Sequence, residues 1–242
     1  MNKLGEKLYI SDLQIGGLTT LTSNDFPGCL AAVVFCQGCP WRCGYCHNPH
    51  LIPRHGENKL AWPDVMNFLL HRQGLLDAVV FSGGEPTLQD GLRQAMIAAR
   101  ELGFKVGLHT SGAYPSRLAE LLPLSSWVGM DIKSSFADYD KVTGVPFSGE
   151  KARASARMLL ASGVPYEFRT TVHPFYHTAA SLLTLAEELQ QLGAKHYVLQ
   201  EFRAQGCENV ALNSADSDQD LLNDALCRRM GSMFDSYSVR RA

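Results

Sequence analysis

Residues 36–46 read CQGCPWRCGYC, and four of the chain's seven cysteines fall within those eleven positions. Thiolates are soft ligands and strong nucleophiles, so such a run is a metal site, a disulfide knot or a reactive centre. Cys39, Cys43 and Cys46 have the spacing C-x3-C-x2-C. A tetrahedral zinc site commonly uses two separated pairs, often about a dozen residues apart. Here the second pair starts four residues after Cys39. Such crowding suits a cuboidal cluster, whose irons spread their ligands apart. Three thiolates would hold three irons of a [4Fe–4S] cube and leave the fourth open to a substrate or cofactor, whereas electron-transfer clusters use four cysteines. The spacing favours a cluster over zinc, and zinc over a disulfide framework. Cys36 is left over, as an alternate ligand or as a small residue closing a buried strand. Cys29, Cys207 and Cys227 stand alone, with core packing the default for each, although Cys207 could approach the site from beyond the last strand.

Bulk properties narrow the choices. The chain has 242 residues, is 45% hydrophobic and carries a formal charge of -2. That charge gives no electrostatic footprint for nucleic acid or an anionic membrane. No apolar run reaches the ~20 residues of a membrane span. The opening MNKLGEKLYISDLQIGG lacks the apolar stretch of a signal peptide. The expected compartment is the cytoplasm, where thiols stay reduced and clustered cysteines bind metal or do chemistry.

The elements that must position these residues alternate. LAAVVF (30–35) is a continuous apolar run, as in a buried parallel strand. Helix 62–73 follows, with Pro63 suited to its first turn. Strand 75–84 ends at paired glycines. In helix 88–102, Leu88, Leu92, Ala95, Ala99 and Leu102 share one face, and Gly103 stops it. Strand 104–112, helix 115–122, strand 126–132, helix 149–162, strand 165–172, helix 178–192 and strand 195–202 continue the alternation. Residues 15–28 suggest a short strand pair at the edge, and 218–234 a closing helix. Strands alternating with helices imply a parallel sheet. An eight-unit barrel typically needs ~250 residues, and the alternation here leaves both ends of the chain outside. The expected fold is therefore α/β: an open, partial (β/α)6 TIM-like barrel with parallel strands, an N-terminal strand pair and a C-terminal helix. It forms a single domain over 1–242, with a core over roughly 28–205 flanked by extensions 1–27 and 206–242.

In such folds chemistry sits where strands end, and the polar motifs fall there. SGGEP (82–86) ends the second strand. Its glycines, Gly83 and Gly84, let backbone come close to a ligand, and Glu85 adds negative charge. DIK (131–133) ends the fourth, with Asp131 and Lys133 projecting to one side. CHNP (46–49) directly follows the last clustered cysteine. RTTVHP (169–174) and LQEFR (199–203) end the last two strands. Each of these short motifs also has a purely structural reading, as a turn, a surface ion pair or a packed histidine.

C-x3-C-x-aromatic-C after a first strand resembles the radical S-adenosylmethionine (SAM) superfamily, with Tyr45 at the aromatic position. That resemblance implies a [4Fe–4S] cluster on Cys39, Cys43 and Cys46, whose open iron is chelated by the amino and carboxylate groups of SAM. It implies that GGEP binds the SAM amino group. D-x-K would bind ribose and carboxylate, with Lys133 on the carboxylate through a charge-assisted hydrogen bond. Asn48 would contact SAM, and His47 would pack beside the cluster. Arg169 and Arg203 correspond roughly to polar SAM-contacting positions. His109 stands where pyruvate formate-lyase activase has an aspartate that helps bind a monovalent cation. Here it either touches SAM or packs at the strand end.

Within the superfamily, GGLTTLTSNDFPG (16–28) and the cysteine segment after it resemble the activating enzymes of anaerobic (class III) ribonucleotide reductase. The function so implied is reductive cleavage of SAM to a 5′-deoxyadenosyl radical and formation of a glycyl radical on a partner reductase. Flavodoxin or ferredoxin would donate the electron, and neither nucleic acid nor membrane would be a partner. Two rivals remain. One is a radical SAM enzyme acting on a small molecule or peptide, as in 7-deazaguanine or cofactor biosynthesis. The other is a zinc-binding structural protein.

Overall fold

The computed structural model describes residues 11–56, 60–214 and 221–241. The opening ten residues and part of the expected closing helix (218–234) lie outside the described residues. Eight strands form one sheet in chain order, from β1 to β8, without closing. They are β1 (Ile15–Thr22), β2 (Ala31–Cys36), β3 (Ala78–Gly83), β4 (Lys105–Thr110), β5 (Trp127–Asp131), β6 (Tyr166–Val172), β7 (His196–Glu201) and β8 (Ser236–Arg240). The α/β class and the unclosed sheet match the expectation. Two details correct it. Residues 15–28 hold one strand and a turn rather than a strand pair, with β1 antiparallel to β2. The end of the chain adds β8, parallel to β7, after a helix shorter than expected. β8 carries no fully buried residue, so the hydrophobic signal that betrays a strand is missing.

The described residues group into two compact units. The first holds those of Met1–Pro40 with His50–Thr110 and Ser116–Val128. β2 runs parallel to β3, and β3 to β4. Five of the six residues of β2 are buried, as for a strand covered on both faces. Phe26 joins Ala31, Val33, Ala78, Val80 and Trp127 in one cluster, with its ring 5.6 Å from that of Trp127. The DFPG turn therefore plugs the core, and Cys29 packs in the same cluster. Helix α1 (Trp62–Leu70) has Pro63 in its first turn. Helix α2 (Leu92–Glu101) starts four residues later than the apolar spacing suggests, because Pro86–Leu88 form a separate 3-10 turn. Gly103, at φ +92, ends it. Helix α3 spans Pro115–Leu121.

The second unit holds Trp41–Pro49, Ser111–Pro115 and Gly129–Ala242. Here β6 runs parallel to β7 and β7 to β8. Its helices are α4 (Tyr139–Thr143), α5 (Ser148–Ser162), α6 (Ala179–Gln191), α7 (Val210–Asn213) and α8 (Asp224–Gly231). Helix α6 opens with a reciprocal capping box between Thr178 and Ser181, which satisfies two of the amide donors that every helix start leaves over. Cys207 is buried as expected, whereas Cys227 is only half-buried, its thiol 3.3 Å from the Leu222 carbonyl.

Candidate functional site

In the first unit the end of β2 faces the end of β3, with Cys36 opposite Gly83. The chain then folds back on itself. The Gly84 N–H donates to the Cys36 carbonyl at 2.9 Å, and the Glu85 N–H to the Gly38 carbonyl at 2.8 Å. Gly83 has φ +115, and a Cβ there would stand 2.5 Å from both the N and the O of Cys36. A Cβ on Gly84 would stand 2.3 Å from the Gly38 oxygen. These glycines are required because two backbones meet there, whatever ligand they also face.

Glu85 is fully buried. Its Oε1 accepts from the Thr87 N–H at 3.0 Å, the Thr87 hydroxyl at 2.5 Å and the Thr110 hydroxyl at 2.8 Å. Hydrogen bonds to a charged group contribute about 1.5–3 kcal/mol each, which offsets the desolvation of the carboxylate. The charge expected at an open strand end is thus held inside the protein, where it caps the turn after β3. Cys36 is also fully buried, and burial, then the Glu85 charge, push its thiol pKa well up. Cys39 is half-buried, its N–H donating to the Ile52 carbonyl at 3.0 Å. The His109 Nε2–H donates to the Asp25 carbonyl at 2.8 Å, its Nδ1 lies 3.4 Å from the Ser82 hydroxyl, and its ring meets the Trp127 edge.

In the second unit Cys43 and Cys46 are half-buried on the loop that also carries Trp41, Tyr45, His47 and Asn48. All seven cysteines are free thiols. Burial raises the Cys43 pKa against the pull of Lys133, and it raises that of Cys46 against a hydrogen bond from the Asn48 N–H. Segments after β5, β6 and β7 wrap this loop. The Arg42 N–H donates to the Thr143 carbonyl at 2.8 Å, and Trp41 meets Tyr139 edge-on. Tyr45 packs with Val142 and Leu212, and against Cys43, Tyr176 and Phe202. His47 stacks on Phe202 and gives its Nε2–H to the Arg203 carbonyl at 2.8 Å. Gly206 passes so close that a Cβ would stand 2.5 Å from the His47 oxygen. The Cys207 Sγ lies 3.7 Å from the Gly44 carbonyl. The Arg203 side chain is exposed and turns to the Arg241 carbonyl at 3.2 Å.

Asp131 and Lys133 do project together from the end of β5. Asp131 Oδ1 accepts from Arg169 Nε and Nη2, each at 2.9 Å, while Oδ2 lies 3.4 Å from Lys133 Nζ. Lys133 Nζ also sits 5.8 Å from the centre of the Tyr45 ring. Burial alone would lower the Lys133 pKa, but Asp131, Cys43 and Tyr45 reverse this and hold it well above the ordinary value. An ammonium has three donors, and Asp131 takes one of them.

Two histidines in VHPFYH, of which RTTVHP (169–174) takes in only the first, complete the second unit. His173 and His177 are both buried. The His177 Nε2–H donates to the Lys133 carbonyl at 2.8 Å, and its Nδ1 accepts the His173 N–H at 3.2 Å. The His173 Nε2–H donates to the Leu212 carbonyl at 3.1 Å, and its Nδ1 accepts from Phe175. Two histidines four residues apart just past a strand were the signal available in the sequence.

The residues fit a thiolate-held cluster and a small polar ligand. Among the described residues no three His, Cys, Asp or Glu side chains converge on one metal ion. A cuboidal cluster asks something different, one thiolate per iron, and three free cysteines lie on one short loop. The Tyr45 hydroxyl is buried and finds no hydrogen-bond partner among the described residues. Leaving it so costs about 1–3 kcal/mol, which a bound polar group would offset.

The pattern of the radical SAM superfamily matches residues 33–199. A Methanocaldococcus jannaschii protein named as a glycyl-radical enzyme activating enzyme is 29% identical over 198 residues, 78% of this chain and 79% of that one. The pyruvate formate-lyase-activating enzyme of Clostridium pasteurianum is 35% identical over 137 residues, 54% of this chain and 57% of that one. The crystal structure of Streptococcus suis SuiB bound to S-adenosylmethionine has a TM-score of 0.65 at 16% identity over 85% of this chain, which spans 48% of SuiB. This last likeness is one of fold.

Two outcomes follow from the geometry. Gly83→Ala is expected to destabilise the protein by more than about 3 kcal/mol, because strain at positive φ adds to a backbone clash; denaturant unfolding measures it. Burial lowers the His177 pKa below its ordinary value of 6.5. The unfolded chain therefore takes up this proton first as pH falls, and stability that is full above pH 6.5 is lost progressively below it. The melting temperature is expected to fall from pH 7.5 toward pH 5.5, and less steeply in His177→Gln, which does not titrate. His47, whose pKa burial also lowers, keeps the variant's slope above zero.

Proposed function

The chain belongs to the radical SAM superfamily, and from that premise we propose that it is an activating enzyme that installs a glycyl radical on a partner protein. The observation that carries this reading is the likeness, over 78% of the chain, to a protein named as a glycyl-radical enzyme activating enzyme. The segment GGLTTLTSNDFPG (16–28) supports anaerobic ribonucleotide reductase as the partner. Radical SAM proteins use a [4Fe–4S] cluster and SAM. Such a cluster would supply the electron that splits the SAM sulfonium into methionine and a 5′-deoxyadenosyl radical, and abstraction of the target glycine's Cα hydrogen would then give 5′-deoxyadenosine and the glycyl radical. A flavodoxin or ferredoxin donates that electron in this reading, the whole of 1–242 works as one domain, and the setting is the cytoplasm. Among the described residues no helix is long and apolar enough to cross a membrane.

The chain's own residues divide the remaining work. Cys39, Cys43 and Cys46 hold the cluster. The Asn48 N–H on Cys46 stabilises that sulfur as a thiolate. Gly83 and Gly84, set by the buried Glu85, present backbone to the SAM amino group. Lys133 takes the SAM carboxylate with the donors that Asp131 leaves. Asp131 serves the ribose, and Arg169 fixes its carboxylate from behind. Tyr45 lines the same space, its hydroxyl awaiting a polar partner. Arg203, its side chain turned to the Arg241 carbonyl, meets the cysteine loop through its own carbonyl, which accepts from His47. His109, with its ring nitrogens turned to Asp25 and Ser82, serves by packing the end of β4.

Anaerobic reconstitution tests this. About four irons per chain are expected for a [4Fe–4S] cluster. With a candidate reductase, SAM and reductant, a glycyl-radical doublet is expected in the EPR spectrum. Alanine at Cys39, Cys43 or Cys46 should each abolish SAM cleavage, whereas Cys36→Ala should keep most of it. Cleavage that survives any one of those three changes would sink the ligand assignment. SAM cleavage without a doublet on any glycyl-radical enzyme would favour a small-molecule or peptide substrate, and stoichiometric zinc would exclude the enzyme.

A further inference from the structure

At the end of β5 the Ile132 N–H still donates to the Arg169 carbonyl at 2.8 Å, and each of the carbonyls of Asp131, Ile132 and Lys133 is held by a side chain from a different segment. The Tyr139 hydroxyl of α4 donates to the Asp131 carbonyl at 3.2 Å. The Thr170 hydroxyl of β6 donates to the Ile132 carbonyl at 2.5 Å, and is itself fixed by the Tyr197 hydroxyl at 2.8 Å. His177, from the segment after β6, donates to the Lys133 carbonyl at 2.8 Å. The Lys133 carbonyl is therefore tied down by a buried side chain. The His177 ring has no freedom either. Nδ1 lies 3.2 Å from both the N and the O of His173; with the ring proton on Nε2, given to the closer Lys133 carbonyl, Nδ1 accepts the His173 N–H.

We infer that His177 is a positioning residue for SAM binding, which sets the Lys133 peptide and so the place its Nζ takes. This rests on the reading above in which Lys133 grips the SAM carboxylate. A long lysine on an irregular backbone would otherwise spread its ammonium over many positions, and a charged ligand gains most from a donor already in place. His177 touches no ligand itself. Its effect passes through Lys133, and this separates it from a residue that merely holds the fold.

The test uses amides of different reach. Asparagine places its amide where Nδ1 stands, keeps an acceptor for the His173 N–H and cannot reach the Lys133 carbonyl. Glutamine reaches the position of Nε2. With reconstituted protein, the SAM dissociation constant is measured at equilibrium from the cluster's EPR change, alongside iron content and melting temperature. His177→Asn is expected to weaken SAM binding about tenfold with iron content unchanged, and His177→Gln to restore it to within about twofold. In a Lys133→Ala background the Asn change should cost nothing further. If the Asn variant does not fold, His177→Met, of similar volume and without a donor, takes its place in the same cycle. Equal losses in both backgrounds, or a Gln variant as weak as Asn, would overturn the inference. An unchanged affinity in Lys133→Ala alone would instead overturn the role given to Lys133. A clear loss there with no effect of His177→Asn would overturn only the role of His177.

Discussion

An irregular loop that carries three thiols keeps one shape only if its peptide groups are hydrogen-bonded from outside, because a buried and unpaired N–H or C=O costs as much as a lost hydrogen bond. Residues 37–48 have no strand and no α-helix of their own. In the first unit the N–H groups of Gln37, Gly38 and Cys39 go to the carbonyls of Gln14, Leu51 and Ile52. In the second, the Arg42 N–H goes to Thr143 and the Cys46 N–H back to Cys43. The glycines make this possible. Gly83, Gly84 and Gly206 stand where a Cβ would strike backbone within 2.5 Å. These contacts hold the backbone of residues 37–39 within the first unit and of residues 42–46 within the second.

Two carboxylates, the buried Glu85 and the half-buried Asp131, do the next level of work, each in its own unit. Glu85 gathers three donors on one oxygen and so fixes the turn after β3. Asp131 divides its oxygens, one to Arg169 and one to Lys133. The difference matters. A carboxylate that gathers hydroxyls and an amide from its own turn and from the neighbouring strand is a brace, and removing it leaves those donors unpaired in the interior. A carboxylate that shares a half-buried ammonium can yield that ammonium in part to a second anion. The 3.4 Å distance from Asp131 to Lys133 is long for a charge-assisted bond, so Lys133 keeps capacity for a ligand in a way that Arg169, in two close contacts with the same oxygen, does not.

What was legible in the sequence follows from which signals are local. The continuous apolar run of β2 and the Gly103 helix stop depend on a few adjacent residues, and both appear where expected. The start of α2 was misplaced because Leu88 continues the helical apolar spacing, although Glu85 caps a separate turn through a hydrogen bond that spacing does not show. β8 escaped because its partner, β7, lies some forty residues earlier in the chain and neither of its faces is fully buried. At the site, cysteine spacing, GGEP and D-x-K carry their chemistry in a few consecutive letters. His173 and His177 do not. Their partners, Lys133 and Leu212, are about forty residues away in either direction, so only the folded chain brings His177 to the Lys133 carbonyl.

That asymmetry has a physical origin. Residues that touch a cofactor are constrained by the cofactor's own geometry, which repeats wherever it is bound, so they recur as short motifs. Residues that hold those residues in place answer only to the surrounding fold, and many side chains can supply one donor to one carbonyl. The peptide of Lys133 needs a donor at a fixed point in a dry interior. A histidine with its second nitrogen anchored on the His173 N–H provides one that neither rotates nor carries a charge. A lysine or arginine there would bury a second cation beside Lys133, at the cost of like-charge repulsion. A serine would be too short to span from the segment after β6. The D-x-K segment is therefore written in the chain twice: once as a motif, and once as a scattered set of donors, Tyr139, Thr170 and His177, each within hydrogen-bond distance of one of three consecutive carbonyls.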